Sequence, residues 1–257
     1  MDDYRSTYRA LTAAYDDASR QHDRKMDFLG AWVYRPLSFG LTVPFLRSGW
    51  VANQVTWLRI VVMVMAFALL IYGQHWSVIA GATLCLVNVF LDLVDGNLAR
   101  LQGPSDFGGF LDEIADILVK IFTPVAVAAG LFVRPDRLLA TLDIGGETVL
   151  LVGIVTGLVS ATRAFLKAEF AYRKQSFDTR HAAAPEPAPA VADPAATVLS
   201  VPYIYRTGVS LMLLLLPLFA VLDLLSVYLC LIFLSRALVF PLELVGLVLT
   251  ARNSLVN

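Results

Sequence analysis

A chain of 257 residues that is 58% hydrophobic, with mean hydropathy +0.68, has too little polar surface to cover itself as a water-soluble globule. Its net charge of −1 excludes a basic nucleic-acid binder. The two cysteines, Cys85 and Cys230, lie in apolar runs without zinc-site spacing and read as inert core or lipid-facing residues.

Residues 1–32 form a polar segment of mixed charge. It opens Met1-Asp-Asp-Tyr-Arg, with no basic stretch followed by an apolar one, so no cleavable signal peptide is expected. The patch Tyr8–Tyr15 suits a surface helix. Residues 33–49 set Arg35 and Arg47 among Leu37, Phe39, Leu41, Phe45 and Leu46, the composition of an amphipathic helix lying in the membrane interface. Pro44 is expected to bend or end it.

Six apolar stretches follow, each long enough to cross a bilayer core, which takes about 20 residues. They fall at about 54–73, 77–97, 108–133, 147–170, 204–223 and 226–250. Pro124 and Pro217 lie inside spans, as membrane helices tolerate. The fold expected is therefore an all-α integral membrane protein: six transmembrane helices behind an N-terminal interfacial helix, as one domain over 33–252. The connection 101–108 reads as a turn. The connection 171–202 reads as a basic stub (Arg173, Lys174, Arg180) followed by a flexible Ala/Pro-rich loop at about 182–200, which cannot form a packed core. No internal repeat is evident.

The loops near 73–76 and 222–227 carry no lysine or arginine, and in the third outer loop Arg134 and Arg137 are offset by Asp136 and Asp143. The opposite side holds Arg35, Arg47, Arg100, Arg163, Lys167, Arg173, Lys174, Arg180 and Arg252. The positive-inside rule thus places both termini in the cytoplasm.

Four aspartates interrupt this apolar chain: Asp92 and Asp95 at the end of the second span, Asp112 and Asp116 at the start of the third. A carboxylate at helix centre costs roughly 2.5–3.5 kcal/mol, so four in adjacent spans need compensation. Spacings of three and four put each pair on one helix face, and the short turn lets the faces meet. An all-oxygen cluster prefers a hard cation: magnesium, manganese or calcium. Gly96 permits close approach, Gly108 opens the next helix where free N–H groups suit phosphate, and Arg100 is a fork-shaped phosphate donor. These groups together describe pyrophosphate chemistry. The same aspartates also suit a cation or proton transporter, although a transporter has no need of the glycines and arginine at fixed spacing.

The run Asp92-x-x-Asp95-Gly96-x-x-Ala99-Arg100, then Gly108-x-x-x-Asp112-x-x-x-Asp116, resembles the signature of the CDP-alcohol phosphotransferases. It fixes eight residues over 25 positions. Ala52-Asn53-Gln54-Val55-Thr56 is similar to that family's Pro-Asn-x-x-Thr stretch, with Ala52 in place of proline. The resemblance covers about 33–252. It implies a metal-dependent membrane enzyme, usually a homodimer, holding Mg2+ or Mn2+ as two ions. Such an enzyme cleaves a CDP-linked donor, releases CMP and joins the phosphoryl group to an alcohol. Asp92, Asp95, Asp112 and Asp116 match the metal-binding aspartates, and Asp116 the base for the acceptor hydroxyl. Gly96, Ala99, Arg100 and Gly108, with Asn53 and Thr56, match donor-binding positions. Glu113 stands outside the signature and reads as structural. The donor expected is CDP-diacylglycerol, in phospholipid biosynthesis; a CDP-polyol donor is the alternative.

For the acceptor, Ser160, Arg163, Arg206 and Arg236 are similar to the set that holds the acceptor phosphate in the phosphatidylinositol-phosphate synthase branch of the family. Arginine replaces lysine at 163, and Phe165 stands where that branch has a second basic residue. Arg163 and Arg206 also fit interfacial snorkelling, and Glu243, two turns beyond Arg236, fits as its partner. The acceptor expected is a polar alcohol, phosphorylated or not.

Overall fold

The computed structural model describes residues 2–15, 28–103, 105–181 and 201–255; the side chain of Arg206 and the predicted loop at 182–200 fall outside the described residues. Everything regular in them is helical. After α1 (Asp2–Ala14) and a π-helical turn over Gly30–Tyr34 come α2 (Arg35–Arg47), α3 (Ala52–Tyr72), α4 (His75–Gln102), α5 (Asp106–Val133) and the short α6 (Arg137–Leu142). They are followed by α7 (Gly146–His181), α8 (Val201–Val221) and α9 (Leu225–Leu255). Five of these, α3, α4, α5, α7 and α9, are long and apolar enough to cross a membrane. At the fifth predicted span, the described apolar part of α8 is only Thr207–Val221, shorter than the others.

The helices run longer than the apolar stretches that mark them, because helix ends continue into water while hydropathy stops at the interface. The second span was expected to end near 97, but α4 reaches Gln102, so the whole motif from Asp92 to Arg100 is helical. Helix α5 begins at Asp106, and Gly103, just past the end of α4, has φ +94°. Likewise α7 continues through the predicted basic stub to His181.

Close helix contact is made where side chains are missing. A Cβ on Gly130 of α5 would lie 2.2 Å from the Leu70 carbonyl oxygen of α3. One on Gly153 of α7 would lie 2.2 Å from Ala128 Cβ. Between apolar helices in lipid, such contact supplies the van der Waals attraction that the hydrophobic effect does not. The obstacle at Gly130 is backbone and cannot rotate away. Gly130→Ala is therefore expected to cost about 1–3 kcal/mol, read as a lower thermal midpoint in detergent. Gly246→Ala, with nothing within 4 Å, is the control; equal midpoints would refute the packing argument.

The N-terminal part is more integrated than its polarity implied. Leu11 and Tyr15 of the first segment bury against Phe39 and Val43 of α2. Ser38 and Thr42, also on the buried face of α2, accept hydrogen bonds of 3.0 Å from Asn97 Nδ2 of α4, while Leu37 and Leu41 remain exposed. Pro44 does not end α2, which continues three residues past it to Arg47.

Candidate active site

The α4–α5 hairpin carries the motif. Ser105 caps α5, its Oγ accepting from Gly108 N at 3.0 Å. At the same end of the hairpin, Gln102, the last residue of α4, ties it to the start of α3: its Oε1 accepts from Ala52 N and its Nε2 donates to Trp50 O. These ties hold the ends of α3, α4 and α5 together, and side chains about two to three turns inward converge.

Asp92 of α4 and Asp112 and Asp116 of α5 present oxygens that all lie within 4.8 Å of one another. Between them sits Arg59 of α3, its side chain only 3% exposed. Its Nη1 lies 2.6 Å from Asp92 Oδ1 and 2.5 Å from Asp112 Oδ1, and its Nη2 lies 2.5 Å from Asp116 Oδ1. The stem is fixed by Asn88, whose Oδ1 accepts from Arg59 Nε and whose Nδ2 donates to Arg59 O. Lys120, one turn beyond Asp116, donates to Asp116 Oδ2 at 2.6 Å. Asp95 is outside the group of three; it is buried and its Oδ2 accepts from Thr56 Oγ1 at 3.0 Å.

The predicted donor-binding residues gather on the same side. A Cβ on Gly108 would lie 2.5 Å from Asn53 Oδ1 and 2.7 Å from Ser105 Oγ, so glycine is what lets Asn53 reach the α5 N-terminus. At Gly96 the nearest atom a Cβ would meet is Arg100 Nη1 at 3.8 Å; protein packing does not require that glycine, and it leaves room beside the aspartates. Ala99 follows it one turn before the helix end, partly buried. Arg100 donates to Asn97 Oδ1, and its guanidinium lies 5.8 Å from the centre of the Tyr15 ring.

A family model, CDP-alcohol phosphatidyltransferase, matches residues 49–249. The chain belongs to that family. No curated protein matches it. As a CDP-alcohol phosphatidyltransferase it is a membrane transferase that moves a phosphate group from a CDP-alcohol to an acceptor, and the transporter alternative falls away.

This family is generally metal-dependent, and in this phosphatidyltransferase the side chains fit a divalent ion. The converging donors are carboxylate oxygens from two helices, the hard set that Mg2+ or Mn2+ prefers. Bound there, such an ion would polarise the pyrophosphate and neutralise charge on the leaving CMP. Asp92, Asp112 and Asp116 are the residues placed to hold it. Glu113 is exposed on α5, away from the group.

Of the predicted acceptor residues, the structure joins Ser160 and Arg236 directly. Arg236 Nη1 of α9 donates to Ser160 Oγ, to Thr156 O at 3.2 Å and to Lys120 O at 3.0 Å. The last contact has a local cause. Pro124 has no N–H, so the Lys120 carbonyl four residues earlier lacks its helical donor, and Arg236 supplies one. Glu243 is not the partner of Arg236, contrary to the same-face expectation. It pairs with Arg163 of α7 and comes within 3.9 Å of Lys167 Nζ.

Arg59 and Lys120 were not singled out from the sequence. The available signal was an arginine eight residues into a 21-residue apolar span, three beyond Thr56. An ionisable residue at such a depth is a candidate for function by default.

Proposed function

We propose that this phosphatidyltransferase uses CDP-diacylglycerol as donor and a polar alcohol as acceptor, with two Mg2+ or Mn2+ ions, in phospholipid synthesis. The observation that carries the reading is the meeting of Asp92, Asp112 and Asp116 within 4.8 Å in the frame of the family's signature. Asp92, Asp95, Asp112 and Asp116 serve the metals. Gly96, Ala99, Arg100, Gly108, Asn53 and Thr56 surround the cytidine diphosphate. Asp116 takes the proton of the acceptor hydroxyl, and Lys120, bonded to one of its oxygens, orients the carboxylate. Ser160, Arg163, Arg206 and Arg236 face the acceptor.

A lipid donor is supported by the apolar spans in which the aspartates sit; the open groove lined by Ser48, Trp50, Gln54, Trp57, Leu58 and Val61 lies on another face of α3 and includes no site residue. The reading includes a homodimer, with termini and site toward the cytoplasm; the arginine and lysine distribution supports that orientation. Residues 33–252 act as one domain, with the loop at 182–200 outside the chemistry.

One observation favours a second reading for the acceptor. Glu243 already neutralises Arg163, which weakens the case for a dianionic acceptor and suits an uncharged polyol. The test is CMP release by the purified protein from CDP-diacylglycerol against free and phosphorylated polyols. Release is expected with Mg2+ or Mn2+ and is expected to vanish in excess EDTA. Undiminished release in EDTA would sink the metal assignment, and release only from a CDP-polyol would overturn the donor.

A further inference from the structure

The guanidinium of Arg59 sits on the same carboxylate oxygens that would face a divalent ion. It bridges Asp92 on α4 to Asp112 and Asp116 on α5, at 2.5 to 2.6 Å, from a third helix. It is buried, and the Asn88 clasp on its Nε and backbone carbonyl fixes the stem from which it reaches them. With Asp95 and Lys120 included, the cluster sets four carboxylates against two cations, a net −2 that attracts divalent ions.

We propose that Arg59 is a positioning residue with two opposed effects. It draws the three carboxylates into one cluster, and it competes with divalent cations for them, so that the protein alone holds its metal weakly. The inference rests on the proposed metal assignment. Two like charges a few ångströms apart in a poorly screened site repel strongly, so an ion entering beside Arg59 must displace its hydrogen bonds or bear its charge. A purely architectural arginine predicts the opposite sign: remove it, the carboxylates spread, and metal binds less well.

The experiment is Mn2+ titration of the full-length protein in detergent, without nucleotide, followed by calorimetry and by Mn2+ electron paramagnetic resonance. Arg59→Gln is expected to bind Mn2+ about tenfold or more tighter than the unaltered chain. Its thermal midpoint in EDTA is expected to fall below that of the unaltered chain, and Mn2+ is expected to raise it by more. Arg59→Lys reaches one carboxylate rather than three, and is expected to bind Mn2+ with intermediate affinity; it answers the question alone if Arg59→Gln does not fold. Unchanged or weaker Mn2+ binding in the variants overturns the proposal while leaving the metal site in place. Absence of Mn2+ binding to both the unaltered chain and Arg59→Gln overturns the metal assignment itself.

Discussion

Asp112→Asn is expected to lower CMP release by about a thousandfold, while Glu113→Gln stays within about threefold of the unaltered enzyme. The two residues are adjacent in sequence and differ in direction. Asp112 Oδ1 meets Arg59 and belongs to the group of three carboxylates; Glu113 is exposed. Asparagine keeps the shape but loses the charge that holds a cation, and losing one preorganised electrostatic group in an active site costs about 10²–10³ in turnover. A metal ligand adds the cost of weaker ion binding, which places the expectation at the upper end. The check is CMP release at saturating donor over a wide range of Mg2+. Equal losses in the two variants would mean that the carboxylates holding metal have been misassigned.

Arg236→Ala should cut kcat/KM for the acceptor by about 10- to 150-fold, the usual worth of a charge-assisted hydrogen bond of roughly 1.5–3 kcal/mol, with the donor KM close to unchanged. Arg236 joins Ser160 on α7 to the Lys120 carbonyl on α5, and the Lys120 ammonium in turn holds Asp116. Its contact on α5 therefore lies one turn beyond the proposed base, away from Asn53 and Gly108, the proposed donor side. Removing it also strips the Lys120 carbonyl of the donor that Pro124 denies it. Arg236→Lys keeps one donor there and separates the two roles: stability returns with lysine, and acceptor use returns only in part. A collapse of donor binding with an unchanged acceptor KM would show the pocket to be wrongly placed.

The meeting of carboxylates was legible where it depends on spacing along one helix. Asp112 and Asp116 share a face by helical geometry and both join the group of three, whereas of Asp92 and Asp95, also on one face, only Asp92 joins it, Asp95 turning to Thr56. What could not be read were partners chosen across helices. Arg59 lies in a span whose apolar composition hides it, and its three carboxylates come together only when α3, α4 and α5 pack. Glu243, seven residues on, was the alternative partner offered for Arg236, but Arg236 reaches across to a carbonyl that a proline has left open, and Glu243 turns to Arg163. The N-terminal segment was read as solvent-facing because its average is polar. Tyr8, Leu11 and Tyr15 form a stripe whose destination, Phe39 on α2, lies in another helix.

During synthesis α3 leaves the ribosome before α4 and α5. A lone arginine near the middle of a span, like a lone aspartate, costs roughly 2.5–3.5 kcal/mol to insert. Each of these three helices is therefore a poor guest in the bilayer by itself, and each carries the ion that lowers the cost for the next. Arg59 joined to Asp92, Asp112 and Asp116 favours their entry into lipid as one group, so that a variant lacking the arginine is exposed to the cell's quality control before it ever meets a substrate.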